Sequence, residues 1–138
     1  MTPSHIEHIG IAVTNLEEAI HYWETVIGLK CYAVEEVKDQ KVKTAFLKIG
    51  EVKIELLEAT APDSSIAKFI EKNGGRGGVH HIALAVKDTN QALDDAKANG
   101  IRLIDAQGRK GAENLLIGFL HPKDTLGVLT EFCGKSDQ

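Results

Sequence analysis

The feature that most constrains this chain is a motif written twice. Residues 8–20, His-Ile-Gly-Ile-Ala-Val-Thr-Asn-Leu-Glu-Glu-Ala-Ile, lie without a gap on residues 81–93, His-Ile-Ala-Leu-Ala-Val-Lys-Asp-Thr-Asn-Gln-Ala-Leu, with five of thirteen positions identical. Two copies are too few for a solenoid, so the repeat implies a paired module, with its boundary in the glycine-rich stretch at 74–78. Each copy opens with an alternating strand pattern, at 6–13 and 79–86, and continues into an amphipathic helix. In the first, Thr14 and Glu17 fit a capping box, Leu16, Ala19, Ile20, Trp23 and Ile27 form the apolar stripe, and Gly28 is the stop. In the second, at 88–99, Ala92, Leu93 and Ala96 form a thinner stripe that ends at Gly100. Strand candidates follow at 30–37, 42–49 and 52–58, then at 102–106, 114–120 and 127–132. The unit reads βαβββ, twice, at about 5–60 and 78–134, within a single domain. A helix at 64–72, with Ile66, Phe69 and Ile70 on one side, joins the halves and ends at Asn73-Gly74-Gly75. The fold class is α+β.

A chain of 138 residues buries roughly two-thirds of its unfolded surface, so it needs no disulfide or metal to hold a core, and any metal is functional first. Sixteen Lys and Arg against twenty Asp and Glu give a net charge of −4, which argues against a nucleic-acid partner. Cys31 and Cys133 form no C-x-x-C, which points to reduced thiols and a cytoplasmic setting. The apolar run at 115–120 is far short of the ~20 residues that span a bilayer, and residues 1–7 lack the pattern of a signal peptide, so no membrane partner is expected.

Strand parity then isolates the chemistry. Successive side chains face opposite sides of a sheet, so Ile9, Ile11 and Val13 point one way while His8, Gly10 and Ala12 point the other. The second copy repeats this with Ile82, Leu84 and Val86 against His81, Ala83 and Ala85. A face with one histidine beside very small side chains leaves open volume, and its repetition suggests a shared cavity. The last strands match as well: Val52-Lys53-Ile54-Glu55 lies on Val128-Leu129-Thr130-Glu131. A carboxylate in a half-buried strand is costly unless it is paired, protonated or bound to a metal. Together His8, Glu55, His81 and Glu131 form a set suited to a divalent ion with positions left for substrate. Taken singly, a strand histidine is more often a packing residue and a strand glutamate an edge residue; recurrence at matching places favours ligands. His5 and His21 read as surface residues, His80 has the opposite parity to His81, and His121 sits in a turn before Pro122. Arg109 and Lys110, in a glycine-bracketed loop, read most simply as solvated, although an anionic substrate could use them.

These paired openings and strand-end glutamates resemble the vicinal-oxygen-chelate, or glyoxalase, superfamily. Within it, Asp63-Ser-Ser-Ile-Ala-Lys-Phe-Ile, Gly78-Val-His-His-Ile-Ala-Leu and Phe119-Leu-His-Pro-Lys-Asp-Thr-Leu-Gly-Val-Leu-Thr-Glu131 are similar to the methylmalonyl-CoA epimerase family over essentially the whole chain. The resemblance implies an incompletely closed, barrel-like mixed sheet around a metal cleft. It makes His8, His81 and Glu131 metal ligands and puts Glu55 where some relatives have Gln. It further implies a zinc, cobalt, nickel or manganese ion, an acyl-CoA substrate and a homodimer. The implied reaction is α-proton abstraction through a metal-stabilised enolate, with Glu131 as base. The chain departs from the pattern at Thr44, where some relatives carry a second catalytic carboxylate; the opposite face then falls to Glu55 or a metal-bound water. Lys123, Arg109 and Lys110 are candidates for the CoA surface. The alternatives are a lactoylglutathione lyase, a non-haem iron oxygenase built on His8, His81 and Glu131, and a small-molecule or antibiotic-binding protein of the same fold.

Overall fold

The sequence repeat persists in the backbone down to hydrogen-bond register. The computed structural model describes residues 2–135, which divide into two compact units, one of residues 8–80 and one of residues 81–135 with 2–7.

In the first unit, β1 (His5–Ala12, which begins in the other unit) leads to α1 (Leu16–Tyr22), then β2 (Ala33–Val37), β3 (Val42–Ile49), β4 (Val52–Ala59) and α2 (Ser65–Lys72). The strands order β2-β3-β4-β1; β4 runs parallel to β1 and antiparallel to β3, which is antiparallel to β2. The second unit holds β5 (Gly78–Ala85, which begins in the first unit), α3 (Thr89–Ala98), β6 (Arg109–Lys110), β7 (Leu115–Phe119) and β8 (Thr130–Lys135), ordered β5-β8-β7-β6. Here β8 is parallel to β5 and antiparallel to β7, which pairs antiparallel with β6. Each unit is a four-strand mixed sheet crossed by a helix, the α+β class expected from the sequence.

The parity of β1 decides what each face meets. Ile9, Ile11 and Val13 pack with Leu16, Ala19, Ile20 and Trp23 of the helix side against Ala45, Leu47, Ile54 and Leu56. On the other face Ala12 joins Val42, Leu57 and Ile66, with Phe69 and Ile70 of α2 beside them. The small-residue face is the more buried of the two: His8, Gly10 and Ala12 are buried, Ile9 and Ile11 only half-buried, and β5 repeats this pattern. In the second unit a Cβ added at Gly118 would come within 2.7 Å of Leu93 Cδ1, so the bare backbone lets α3 lie close on β7.

Several expected boundaries shift, each for a local reason. The first helix is capped by Asn15, whose side chain accepts from Glu18 N at 3.0 Å, and not by Thr14. Asp88 caps α3 in the same way by accepting from Gln91 N. After Tyr22 the helix widens into a π turn, Trp23–Ile27, closed by Gly28 at φ 90°. That widening breaks the 3.6-residue spacing, and Ile27, expected on the buried stripe, is 45% exposed. The strand expected at 102–106 reduces to one bridge, Leu103 to Leu120. There the Asp105 carboxylate accepts from Phe119 N at 2.8 Å, occupying a backbone donor that a ladder would need. The short strand Arg109–Lys110 forms instead, in what the sequence presents as loop.

Candidate functional site

The four residues singled out by parity form two pairs, one per unit, each built the same way. In the first unit Gly10 stands opposite Glu55 in the parallel β1–β4 pair, with His8 two residues earlier on the same face. In the second, Ala83 stands opposite Glu131 in the parallel β5–β8 pair, with His81 two residues earlier. This diagonal brings His8 Nδ1 to 3.1 Å from Glu55 Oε2, and His81 Nε2 to 3.0 Å from Glu131 Oε1. Both contacts lie within ion-pair distance. All four residues are deeply buried, between 3% and 6% exposed. At that burial a carboxylate is held only where its charge is met, and the adjacent imidazole is the first group that meets it.

A phenylalanine flanks each glutamate on the strand beyond. Phe46 of β3 stands opposite Glu55, and Phe119 of β7 opposite Glu131. The Phe119 ring meets His81 edge to face, with centroids 5.3 Å apart at 83°, while Phe46 packs against Tyr32 at 5.8 Å. Sequence reasoning missed this pair, although its signal was present: Phe46 and Phe119 are 73 positions apart, the spacing of the His8 and His81 motifs.

One further side chain enters the second unit's face. Arg109 stands opposite Ile117, which lies two residues from Phe119 on the same face. Its Nε donates to Asp105 Oδ1 at 2.8 Å, and its guanidinium carbon lies 5.9 Å from the Phe119 ring centroid. The Arg109 side chain is 41% exposed, as a solvated residue would be, and in addition is ion-paired to Asp105 and set over the Phe119 ring. The turn leading to β8 is tied back by Arg102, whose Nε and Nη2 donate to Asp124 Oδ2 and Oδ1 at 2.9 and 3.0 Å. These bonds, with a third from Arg102 N, hold the Asp124 carboxyl well below the usual carboxylate range.

The other histidines lie elsewhere in the bonding pattern. His80 packs edge-on against Phe69, His5 contacts Ser4 and His21 contacts Thr25. His121 accepts from Lys123 N at 3.2 Å, within its turn. Thr44, buried at 1% exposure, stands opposite Glu35 of β2 and Leu57 of β4. Among the described residues neither cysteine forms a disulfide, and no helix is long and apolar enough to cross a membrane. Chemically, each pair supplies one imidazole nitrogen and one carboxylate oxygen, a donor set that fits a divalent transition metal ion.

Comparison with known proteins gives the family. The profile of the Glyoxalase/Bleomycin resistance protein/Dioxygenase superfamily matches residues 7–119. An uncharacterized Bacillus subtilis protein, YqjC, is 40% identical over 136 residues, covering 98% of this chain and 96% of its own. The ethylmalonyl-CoA/methylmalonyl-CoA epimerase of Cereibacter sphaeroides is 38% identical over 127 residues, 91% of this chain and 94% of its own. Among solved structures, a variant of the Streptomyces coelicolor methylmalonyl-CoA epimerase in complex with 2-nitronate-propionyl-CoA superimposes with a TM-score of 0.93. It is 35% identical, with 99% of this chain and 97% of that one covered. With a matching profile over most of its length and relatives of this similarity, the chain belongs to the Glyoxalase/Bleomycin resistance protein/Dioxygenase superfamily.

Proposed function

We propose that this chain is a metal-dependent epimerase that interconverts (2R)- and (2S)-methylmalonyl-CoA, with His8, Glu55, His81 and Glu131 holding one zinc, cobalt, nickel or manganese ion. One observation carries the reading: a chain 38% identical to an ethylmalonyl-CoA/methylmalonyl-CoA epimerase repeats a buried imidazole–carboxylate pair at the same register in both halves. When bound, such an ion supplies Lewis acidity to the substrate oxygens and lowers the effective pKa of the α-proton. Glu131 is the residue that takes that proton. The α C–H bond breaks toward its carboxylate, and the electron pair passes into the thioester carbonyl. Glu55, the matching group of the other half, acts in its protonated form: its carboxyl proton passes to the α-carbon on the opposite face, so that the centre inverts, after which Glu131 loses its proton to solvent and Glu55 regains one. Thr44 has no role as a base in this scheme, since a hydroxyl is far too weakly basic. Phe46 and Phe119 keep the strand positions beside the two carboxylates apolar, which strengthens every charge interaction there. The family resemblance extends the reading to a cytoplasmic homodimer, for which sedimentation at twice the monomer mass is the expected result.

The test is an NMR assay of methylmalonyl-CoA in deuterated solvent, run with and without added divalent ion. Ion-dependent α-proton exchange is expected, and Glu131→Gln should abolish it. Exchange that persists in that variant would refute the assignment. Mixing methylglyoxal and glutathione with the protein should yield no thioester absorbance; its appearance would move the reading to the lyase.

A further inference from the structure

We infer that Arg109 binds the free carboxylate of the acyl group, and so makes the site demand an acyl thioester with a second acid function. This rests on the epimerase reading and adds a specificity determinant to it. The argument lies wholly within the second unit. Arg109 pairs with Ile117, and partners in an antiparallel pair share a face, so its side chain rises on the face that carries Phe119, His81 and Glu131. Two contacts fix the guanidinium there: Asp105 takes the Nε hydrogen at 2.8 Å, and the Phe119 ring lies beneath it at 5.9 Å. Asp105 is itself immobilised, because its other oxygen accepts from Phe119 N at 2.8 Å. The same ring therefore supports the guanidinium and meets His81 edge to face, which puts a fixed positive charge one ring away from the His81–Glu131 pair.

The chemistry selects the ligand. A guanidinium carries five N–H donors in a planar fork, of which Asp105 engages the one on Nε, and the Nη edge matches a carboxylate bidentately. A mobile surface arginine would serve any anion, including the phosphates of CoA. One pinned by a carboxylate and a ring beside the pair assigned to the α-proton is placed for the acid function next to the reacting carbon. Holding that group also orients the α C–H bond relative to Glu131.

The experiment is an affinity comparison by titration calorimetry on the full chain with saturating Co²⁺. Its ligands are equilibrated methylmalonyl-CoA and propionyl-CoA, which lacks the second carboxylate. Arg109→Gln should weaken methylmalonyl-CoA binding by about 10- to 100-fold, the range expected for loss of a hydrogen-bonded charge pair, and change propionyl-CoA binding by less than about twofold. Arg109→Lys, which keeps the charge and loses the fork, should fall between. Equal weakening of both ligands would overturn the inference and assign Arg109 to the CoA portion; no change in either would overturn it outright. Unchanged propionyl-CoA affinity also shows that the variant is folded. Failure of the wild-type protein to epimerise methylmalonyl-CoA counts instead against the epimerase reading, so the two failures are distinct.

Discussion

The two halves share their inner strands and part company at their outer edges. Both place a histidine two residues before a small residue that faces a glutamate, both set a phenylalanine beyond that glutamate, and both cap the helix with an Asx side chain. At the outermost strand the charges invert. Opposite Thr44 the first half has Glu35 on a five-residue strand; opposite Ile117, the matching position, the second has Arg109 on a two-residue strand. What repeats is the donor set and its support, and what diverges is the group able to meet a substrate of a given charge. On the proposed reading, ligand geometry and substrate selectivity would occupy different strands of one repeated unit.

The largest expected effect breaks the functional symmetry of the two glutamates. Glu131→Gln should lower epimerisation by about 10³-fold, within the span attributed to a positioned base, and remove α-proton exchange. Glu55→Gln should leave exchange from one epimer detectable while slowing inversion by about 10²-fold. NMR in deuterated solvent reads both, and identical behaviour of the two variants would contradict separate roles. Next come the flanking rings. Phe46, 1% exposed, should cost about 4 kcal/mol of stability on replacement by Ala, and Phe119, 9% exposed, about 3 kcal/mol, by urea denaturation. A reversed order would show that Phe119 bears more of its unit's packing than its burial indicates.

The caps test the symmetry itself. Asn15→Ala and Asp88→Ala should each cost about 1 kcal/mol, and their effects should add, because they act on separate helices.

The smallest effect concerns acid stability. Asp124 is held low first by the side-chain bonds from Arg102 and then by the Arg102 backbone N–H. Asp63, in the first half, is held low chiefly by its side-chain bond to Lys41. A carboxyl whose folded pKa is depressed contributes stability that is present above its unfolded pKa of about 4, and that contribution is lost as pH falls through the folded value. Asp124→Asn should therefore flatten the acid limb of a melting-temperature profile below about pH 4, and Asp63→Asn should do so less. Asp63 is exposed and Asp124 half-buried, so added salt should shrink the Asp63 effect more than the Asp124 effect.

The sequence carried the centre of the site better than its periphery, for physical reasons. His8, His81, Glu55 and Glu131 were legible because a strand alternates faces strictly, so a histidine in a small-residue row and a glutamate amid apolar residues stand out, and each does so twice. The helix cap was legible only by comparing copies: Lys87 occupies the place of Thr14, whereas Asp88 matches Asn15, the residue that caps. Ile27 misled because a π turn cannot be read from 3.6-residue periodicity. The pairing of Arg109 was not legible because it depends on Asp105 capturing a backbone N–H fourteen residues onward, a tertiary event with no local signature.

The central claim, that the two matching pairs serve one ion in an epimerase, is tested most directly by metal stoichiometry. Equilibrium dialysis against Co²⁺ or Zn²⁺ should give one ion per chain, and His8→Ala or His81→Ala alone should each abolish tight binding. Two ions per chain, or one that survives loss of either histidine, would contradict it.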